Sequence, residues 1–497
     1  MAGRLSTLPR TTVALTLGVV SALLVAGVGI AIVRPGAGST RDASLPSPGG
    51  VKTAKPVNKK VQGLTTFRGN LSRSYYGEGP VPGAPVVRWR EPQVKMCRTS
   101  IVGLDSSEWC GTGWTGQPNV IESPDGDIEV REGVYDGKYH FVDGRTGLPT
   151  RVDLATRDLA KGSATSDPDG YPLYYGGSRD NYLRVIALDR ADPEVLWELN
   201  ADTSAPDPRR NNDWDGAPLV VGDYLLEGGE NGWFYVIRLH RSYDDQGLVQ
   251  VNPEVVATIA GFDDQLLTDL GDQEVSIEGS VAFRNGVAYF ANSGGLVQGW
   301  DISDLLNGGS DYRQVFRFWT GDDTDATVVI DGQGYLYVAS EYQRFNERSR
   351  EVGQLMKLNP RKADDPMVWS LPARQIGFEG AGGSWSTPAL YGDRVFFTTA
   401  AGRVLEVDRV TGEILWETKV SAPSIGSPVV IDGVLIQGDC AGDLYAWNIA
   451  DASQPPGLIW KVDLNGCIES TPAVWHGWLY LGTREGYLFG LADAPGT

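Results

Sequence analysis

Short runs in which apolar and polar residues alternate, each bounded by Gly, Asn or Asp, recur along most of this chain. Residues 402–417 read GRVLEVDRVTGEILWE: a glycine, a strand with every second residue apolar, a polar turn, and a second strand carrying tryptophan. A period of two marks a half-buried β-strand, and the bounding residues are those of tight turns. The same layout returns at 442–462 (GDLYAWNIADASQPPGLIWKV), 353–371 and 181–198, with Trp197, Trp369, Trp416 and Trp460 in the shared place. Further copies open at Gly137, Gly232, Gly295 and Gly486, so the starts fall at 137, 181, 232, 295, 353, 402, 442 and 486. The intervals run from 40 to 63 residues, the excess lying in polar loops such as 241–250 and 341–352. Self-similarity at this period signals a stack of like supersecondary units.

Two more strands stand ahead of each copy. Ser386-Thr387-Pro388-Ala389-Leu390 leads to Val395-Phe396-Phe397-Thr398-Thr399, and the pattern recurs at Ser427-Pro428 and Thr471-Pro472. Each unit is thus four antiparallel strands, which alone bury little and must pack on neighbours around an axis. The last unit ends at Gly486–Leu491 without a Trp-bearing fourth strand, while Pro85-Val86-Val87-Arg88-Trp89-Arg90 supplies such a strand far upstream. If that strand closes the ring, no sheet edge is left open at the join. The expected fold is all-β: an eight-bladed β-propeller of four-stranded antiparallel blades over residues 61–497.

The repeat resembles the PQQ-like (quinoprotein-type) propeller repeat, Gly-x-Leu-x-Ala-x-Asp-x-x-Thr-Gly-x-x-x-Trp, best at Gly402, Val404, Val407, Asp408, Thr411, Gly412 and Trp416. TFRGNLSRSYYG at 66–77 is similar to the lead-in such proteins carry before their first strand. The resemblance implies one of two lives. One branch holds dehydrogenases that use PQQ and Ca²⁺, whose alcohol-oxidising members carry an adjacent Cys-Cys disulfide over the cofactor. The other holds non-catalytic propellers, among them one of the bacterial outer-membrane assembly machinery, that grip other proteins. This chain has no Cys-Cys pair and no CxxCH haem site, which favours the second branch and predicts no cofactor.

The N-terminus changes the setting. Val13 to Val33 is a 21-residue stretch without charge, long enough as a helix to cross a bilayer core of about 30 Å. The stretch exceeds the apolar core of a cleaved signal peptide, so a retained signal-anchor helix is expected over 13–33, with residues 1–12 cytoplasmic and the propeller extracytoplasmic. Residues 34–60, rich in Pro, Gly, Ser and Lys, read as a flexible linker. Residues 1–60 carry +7 and the remainder −27. An acidic body excludes a nucleic-acid binder, which needs a basic face. The even set Cys97, Cys110, Cys440 and Cys467 suits an oxidising compartment, and 97–110 with 440–467 is the most local of three pairings. Arg outnumbers Lys by 32 to 11, in keeping with a high-GC bacterium.

Candidate chemistry is sparse. No P-loop or GxSxG elbow is present. DPDGY at 167–171 and DWDG at 213–216 resemble pieces of calcium loops but lack the full ligand set, so both read as turns. Aligning the units three residues ahead of the Pro388 position brings Thr115, Thr165, Asp215, Glu278, Asp325, Trp385, Ile425 and Glu469 to one mouth of the central channel. Trp114 and Trp214, one residue earlier, would add aromatic surface. Converging carboxylates raise one another's pKa and can hold a cation or a basic partner. The expected role is a non-enzymatic binding scaffold or sensor for an envelope protein or glycan, tethered to the membrane by its N-terminal helix. A PQQ/Ca-dependent dehydrogenase is the alternative. A polysaccharide-active enzyme using the acidic mouth, with carboxylates spaced as in glycosidases, is the third.

Overall fold

The residue opening each repeat has a positive φ, from 77 to 105°, at Gly137, Asn181, Gly232, Gly295, Gly353, Gly402, Gly442 and Gly486. That left-handed backbone suits glycine, and asparagine pays little for it. The chain therefore reverses between the second and third strands of every unit, tightly in most and after an inserted strand and helix in the fifth. Alternating apolar side chains on both sides then pack blade against blade. The computed structural model describes residues 54–102, 105–209 and 212–495, all within the compact unit Ser44–Thr497. The expected helix at 13–33 and its cytoplasmic tail lie outside the described residues. Among the described residues no helix is long and apolar enough to cross a membrane.

Eight sheets form the ring, as the repeat predicts. Blade 6 is representative: Ala389–Tyr391, Arg394–Thr398, Arg403–Asp408 and Ile414–Lys419 pair antiparallel in chain order. The second and third strands are buried almost throughout, while the fourth is half exposed. Blade 8 closes as expected. Pro85–Glu91 pairs antiparallel with Tyr487–Asp493, bringing Trp89 opposite Gly490. The shared tryptophan has a visible purpose. Trp369 Nε1 donates to Arg409 O at 3.1 Å in the next blade, and a Cβ on Gly412 would lie 2.7 Å from the Trp369 ring. Trp89 of blade 8 does the same to blade 1, donating to Gly144 O at 2.9 Å and lying against Gly147. The Thr-Gly turn and the Trp of the repeat are thus two halves of one joint between consecutive blades.

The lead-in at 66–77 does more than precede the first strand. Gln62–Leu64 adds to the inner edge of blade 1 and Gly77–Glu78 to the inner edge of blade 8, and the segment between them plugs the channel. Arg68 and Arg73 are fully buried. They donate to carbonyls of Thr387, Pro388 and Pro428, and of Ala217 and Val281, on the inner strands and their approaches. Burial pushes Arg68 down to about 10 and Arg73 down to about 9, so both stay charged at neutral pH. Residues 54–60, read from composition as linker, are held too: Lys59 N donates to Pro168 O at 3.0 Å and its ammonium pairs with Asp169 at 3.0 Å.

The loops that lengthen the repeat are ordered. Residues 241–250 contain the hairpin Ser242–Tyr243 with Val249–Gln250. Residues 341–352 hold the strand Glu341–Tyr342, paired to Gly382–Gly383, and the helix Glu347–Val352 capped by Asn346. Both expected disulfides form, Cys97–Cys110 and Cys440–Cys467. The first staples a hairpin, Cys97–Val102 with Asp105–Cys110, on the face where the strands leading to the mouth begin.

Candidate binding chamber in the central channel

Residues just ahead of each inner strand face the axis, and the plug closes the channel below them. What remains is a chamber of about 40 Å³, room for about two or three waters. Its wall carries Trp114, Thr115, Asp215, Glu278, Asp325, Trp385 and Ile425. Phe67 of the plug lines it on one side, and Phe378 and Glu379, from the loop joining blades 5 and 6, on the other. Phe378 meets Trp385 edge-on at 5.7 Å.

Three of the expected residues lie elsewhere. Trp214 is fully buried inside blade 3, where Nε1 donates to Asn181 O at 3.1 Å and the ring packs on Tyr235. Neighbours in extended backbone point to opposite sides, so with Asp215 on the channel Trp214 is turned away. Trp114 and Thr115 escape that rule because both have left-handed backbone, φ 51° and 53°. Glu469 sits beside the chamber rather than in its lining, and Arg484 Nη1 donates to it at 2.9 Å. Thr165 is buried against the plug, donating to Pro218 O at 2.6 Å.

The mouth also holds residues the sequence did not single out. Lys161 Nζ lies 2.6 Å from Asp215, 3.1 Å from Glu230 and 3.2 Å from Asp213, and 4.8 Å from the Trp114 ring centre. Burial opposes its charge, but these three carboxylates hold its pKa well above the usual lysine value. Burial pushes Asp215 up and Glu230 up to about 7, with Lys161 pulling both back. The reading of 213–216 as no more than a turn is therefore corrected: Asp213 and Asp215 are buried partners of an ammonium. Asp167, by contrast, does make a turn, accepting from Asp169 N at 2.9 Å.

On the far side of the chamber Glu278 and Asp325 are pushed well above the carboxylate range by burial and by neighbouring acids. Asp323 and Glu341 stand behind Asp325, Asp323 pushed up to about 6 and Glu341 well up, again mainly by burial. Neither residue belonged to the ring inferred from the repeat. Asp323 sits two residues from a ring position, whereas Glu341 comes from what read as a polar loop. Over the mouth, Trp109 of the disulfide-stapled hairpin lies between Arg179, at 5.3 Å, and Arg484, at 4.9 Å.

Comparison with known proteins agrees with this architecture. The sequence model of the outer membrane protein assembly factor BamB family matches residues 354–491. The outer membrane protein assembly factor BamB of Burkholderia pseudomallei is 31% identical over 119 residues, 24% of this chain and 30% of the relative. The quinoprotein alcohol dehydrogenase PedH of Pseudomonas putida is 28% identical over 180 residues, 33% of this chain and 28% of the relative. The matches thus span less than a third of either relative. The quinohemoprotein alcohol dehydrogenase of Comamonas testosteroni superposes with a TM-score of 0.54 at 13% identity, over 88% of this chain and 82% of that one, which speaks to the fold alone. Eight closed blades, with the Gly turn and the Trp joint, make this chain an eight-bladed β-propeller that carries the PQQ-like repeat.

Proposed function

We propose that this propeller is a non-enzymatic binding scaffold of the cell envelope, held outside the cytoplasmic membrane by residues 13–33 and engaging an envelope protein or glycan with its mouth face. The observation that carries this reading is the sealed channel. Pockets that take cofactors and substrates measure ~300–1,000 Å³, and the chamber here is about 40 Å³. The three-ring quinone of the PQQ enzymes is itself a tricarboxylate. It would meet Asp215, Glu278 and Asp325 at the wall, and Lys161 is already ringed by three carboxylates. The two disulfides join residues 13 and 27 positions apart, unlike the adjacent-cysteine ring of the alcohol oxidisers. They also favour an oxidising compartment.

The mouth face offers surface in place of a cleft. Ile101, Phe345 and Ile376 on its loops are 67%, 41% and 54% exposed, the kind of apolar side chain that anchors an interface. Ala54 and Lys55 line the hollow on the opposite face, with Gly332, Gly392 and Asp432.

Two measurements test the proposal. The purified chain incubated with PQQ and Ca²⁺ is expected to retain no quinone absorbance after gel filtration and to reduce no dye; retention with dye reduction overturns the scaffold reading. A photo-crosslinking residue at Ile101 or Phe345 is expected to trap an envelope protein or glycan in cells, and one at Val410 on the other face is not. Adducts confined to Val410 would overturn the choice of face.

A further inference from the structure

On the face opposite the mouth, the plug leaves a hollow of about 1060 Å³ beside blades 4 to 7, just above the ~300–1,000 Å³ typical of ligand sites. The plug runs along it from one end to the other. Phe283 N of blade 4 donates to Leu71 O at 2.6 Å, Ile330 N of blade 5 donates to Ser72 O at 3.0 Å, and Gly77 pairs with Val474 of blade 8. Charge is divided along the same line. At the blade 4 end Arg284 donates to Gly332 O at 2.7 Å and has no ion pair among the described residues. The exposed Lys55, whose carbonyl accepts from Asn70 Nδ2 at 3.1 Å, stands on the same side. At the blade 7 end Asp432 packs on Gly79, where a Cβ would overlap its Oδ2. No donor reaches the Asp432 carboxylate among the described residues. Burial, and then the charge of Glu78, raise its pKa, and Glu78 itself has only His476, at 3.7 Å. Asp393 of blade 6 adds an exposed acid to the rim. The wall between the ends is neutral: Arg409 pairs with Asp331 at 2.8 Å beside Ile330, Leu390 and Ile431.

We propose that this hollow binds a short free peptide, its α-ammonium held by Asp432 and Glu78 and its carboxylate by Arg284. A zwitterion satisfies both ends at once. An anion alone would be repelled by the carboxylate end, and a cation alone would leave the guanidinium without a counter-charge. An ammonium carries three donors, enough for both carboxylates and for the Tyr391 hydroxyl, on which the charge of Asp432 already bears. The guanidinium fork matches a carboxylate, and such charge-assisted pairs are the strong ones. Between the ends, Ile330, Leu390 and Ile431 offer apolar surface to side chains. The hydroxyls of Tyr75 and Tyr391, which have no hydrogen-bond partner among the described residues, line the hollow where peptide N–H and C=O groups would run. The site lies away from the mouth and stands or falls apart from the scaffold reading.

The test is a calorimetric titration of the full chain with tri-, tetra- and penta-alanine, each also in N-acetylated and C-amidated form. At least one free peptide is expected to saturate a single site at millimolar concentration or below. Blocking either of its termini should weaken binding by about tenfold or more, the share of one charge-assisted pair. Asp432→Asn and Arg284→Gln should each do the same. Acetylation should then cost nothing further in Asp432→Asn, and amidation nothing further in Arg284→Gln, because each variant has already lost that contact. No saturable binding of any free peptide overturns the site whether or not the variants fold. Binding that the blocked forms share, or that both variants leave intact, overturns it equally. A loss on acetylation without a loss on amidation overturns the peptide in favour of a simple amine.

Discussion

Arg68 and Pro428 lie 360 residues apart, and Nη2 of the first donates to the carbonyl of the second at 2.7 Å. The same guanidinium donates to Thr387 O at 2.6 Å and Pro388 O at 2.7 Å. The innermost strands of a propeller have no neighbour on the channel side, so their inward carbonyls need donors from elsewhere. The plug provides them with Arg68 and Arg73, whose fork of N–H groups serves several acceptors at once.

Arg68→Met is expected to leave three buried carbonyls unpaired. At about 1 kcal/mol or more for each, the loss should come to about 3 kcal/mol, read as a lowered urea midpoint. Arg68→Lys should recover only part of it, because an ammonium cannot span the same acceptors.

The joint between blades makes a second prediction. Gly412 has φ 78° and faces the Trp369 ring, so Gly412→Ala should cost about 2–4 kcal/mol from strain and overlap together. In a Trp369→Ala background the overlap vanishes and the strain remains. A double-mutant cycle should therefore show a coupling of about 1 kcal/mol or more; additive losses would remove the joint.

Lys161→Met removes the ammonium from Asp213, Asp215 and Glu230. Breaking a buried charge cluster from one side costs about 3–5 kcal/mol. The variant is expected to be destabilised by that order at pH 7.5 in EDTA and to regain much of it at pH 5, where protons replace the lysine. Thermal unfolding at the two pH values reads both effects.

Stability should also fall as pH rises. Burial raises Glu230 up to about 7 and Asp323 up to about 6 in the folded chain, against ~4 unfolded. A carboxyl raised in this way contributes its stability fully below the unfolded value and loses it as pH climbs through the folded one. His140 adds to the trend. Burial works against its charge, but Asp136 and Asp153 on its two ring nitrogens push it up to about 9. Its share is whole below the unfolded value of about 6.5 and is lost by pH 9 or so. In EDTA the urea midpoint is expected to drop from pH 5 to pH 9, and His140→Gln should flatten the upper half of that curve. A midpoint that rises over this range would contradict the burial of these groups as charged species.

Particular residues show why some of the site was legible and some was not. Asp215, Glu278, Asp325 and Trp385 could be placed because they stand at one phase of a repeat, and a repeat converts sequence position into angle around an axis. Trp214 could not, since which of two neighbours faces the channel depends on local backbone. Lys161 and Glu341 had no phase at all. The first reaches the mouth from the segment joining blades 1 and 2, the second from a loop whose composition looked merely polar. Phe67, Arg68 and Arg73 lay in a segment recognised as a lead-in, but nothing in its composition says that it fills the axis.

Periodicity, glycine turns and the tryptophan joint were enough to set eight sheets in a ring and to bring Trp89 to the last of them, because those features act between neighbours in sequence or between identical units. The sealing of the channel, the lysine in one acid triad and its absence from the other arise from side chains that meet across hundreds of residues. They were decided only by where folding brought inward carbonyls and buried charges together, since such groups must find partners in space whatever their distance along the chain.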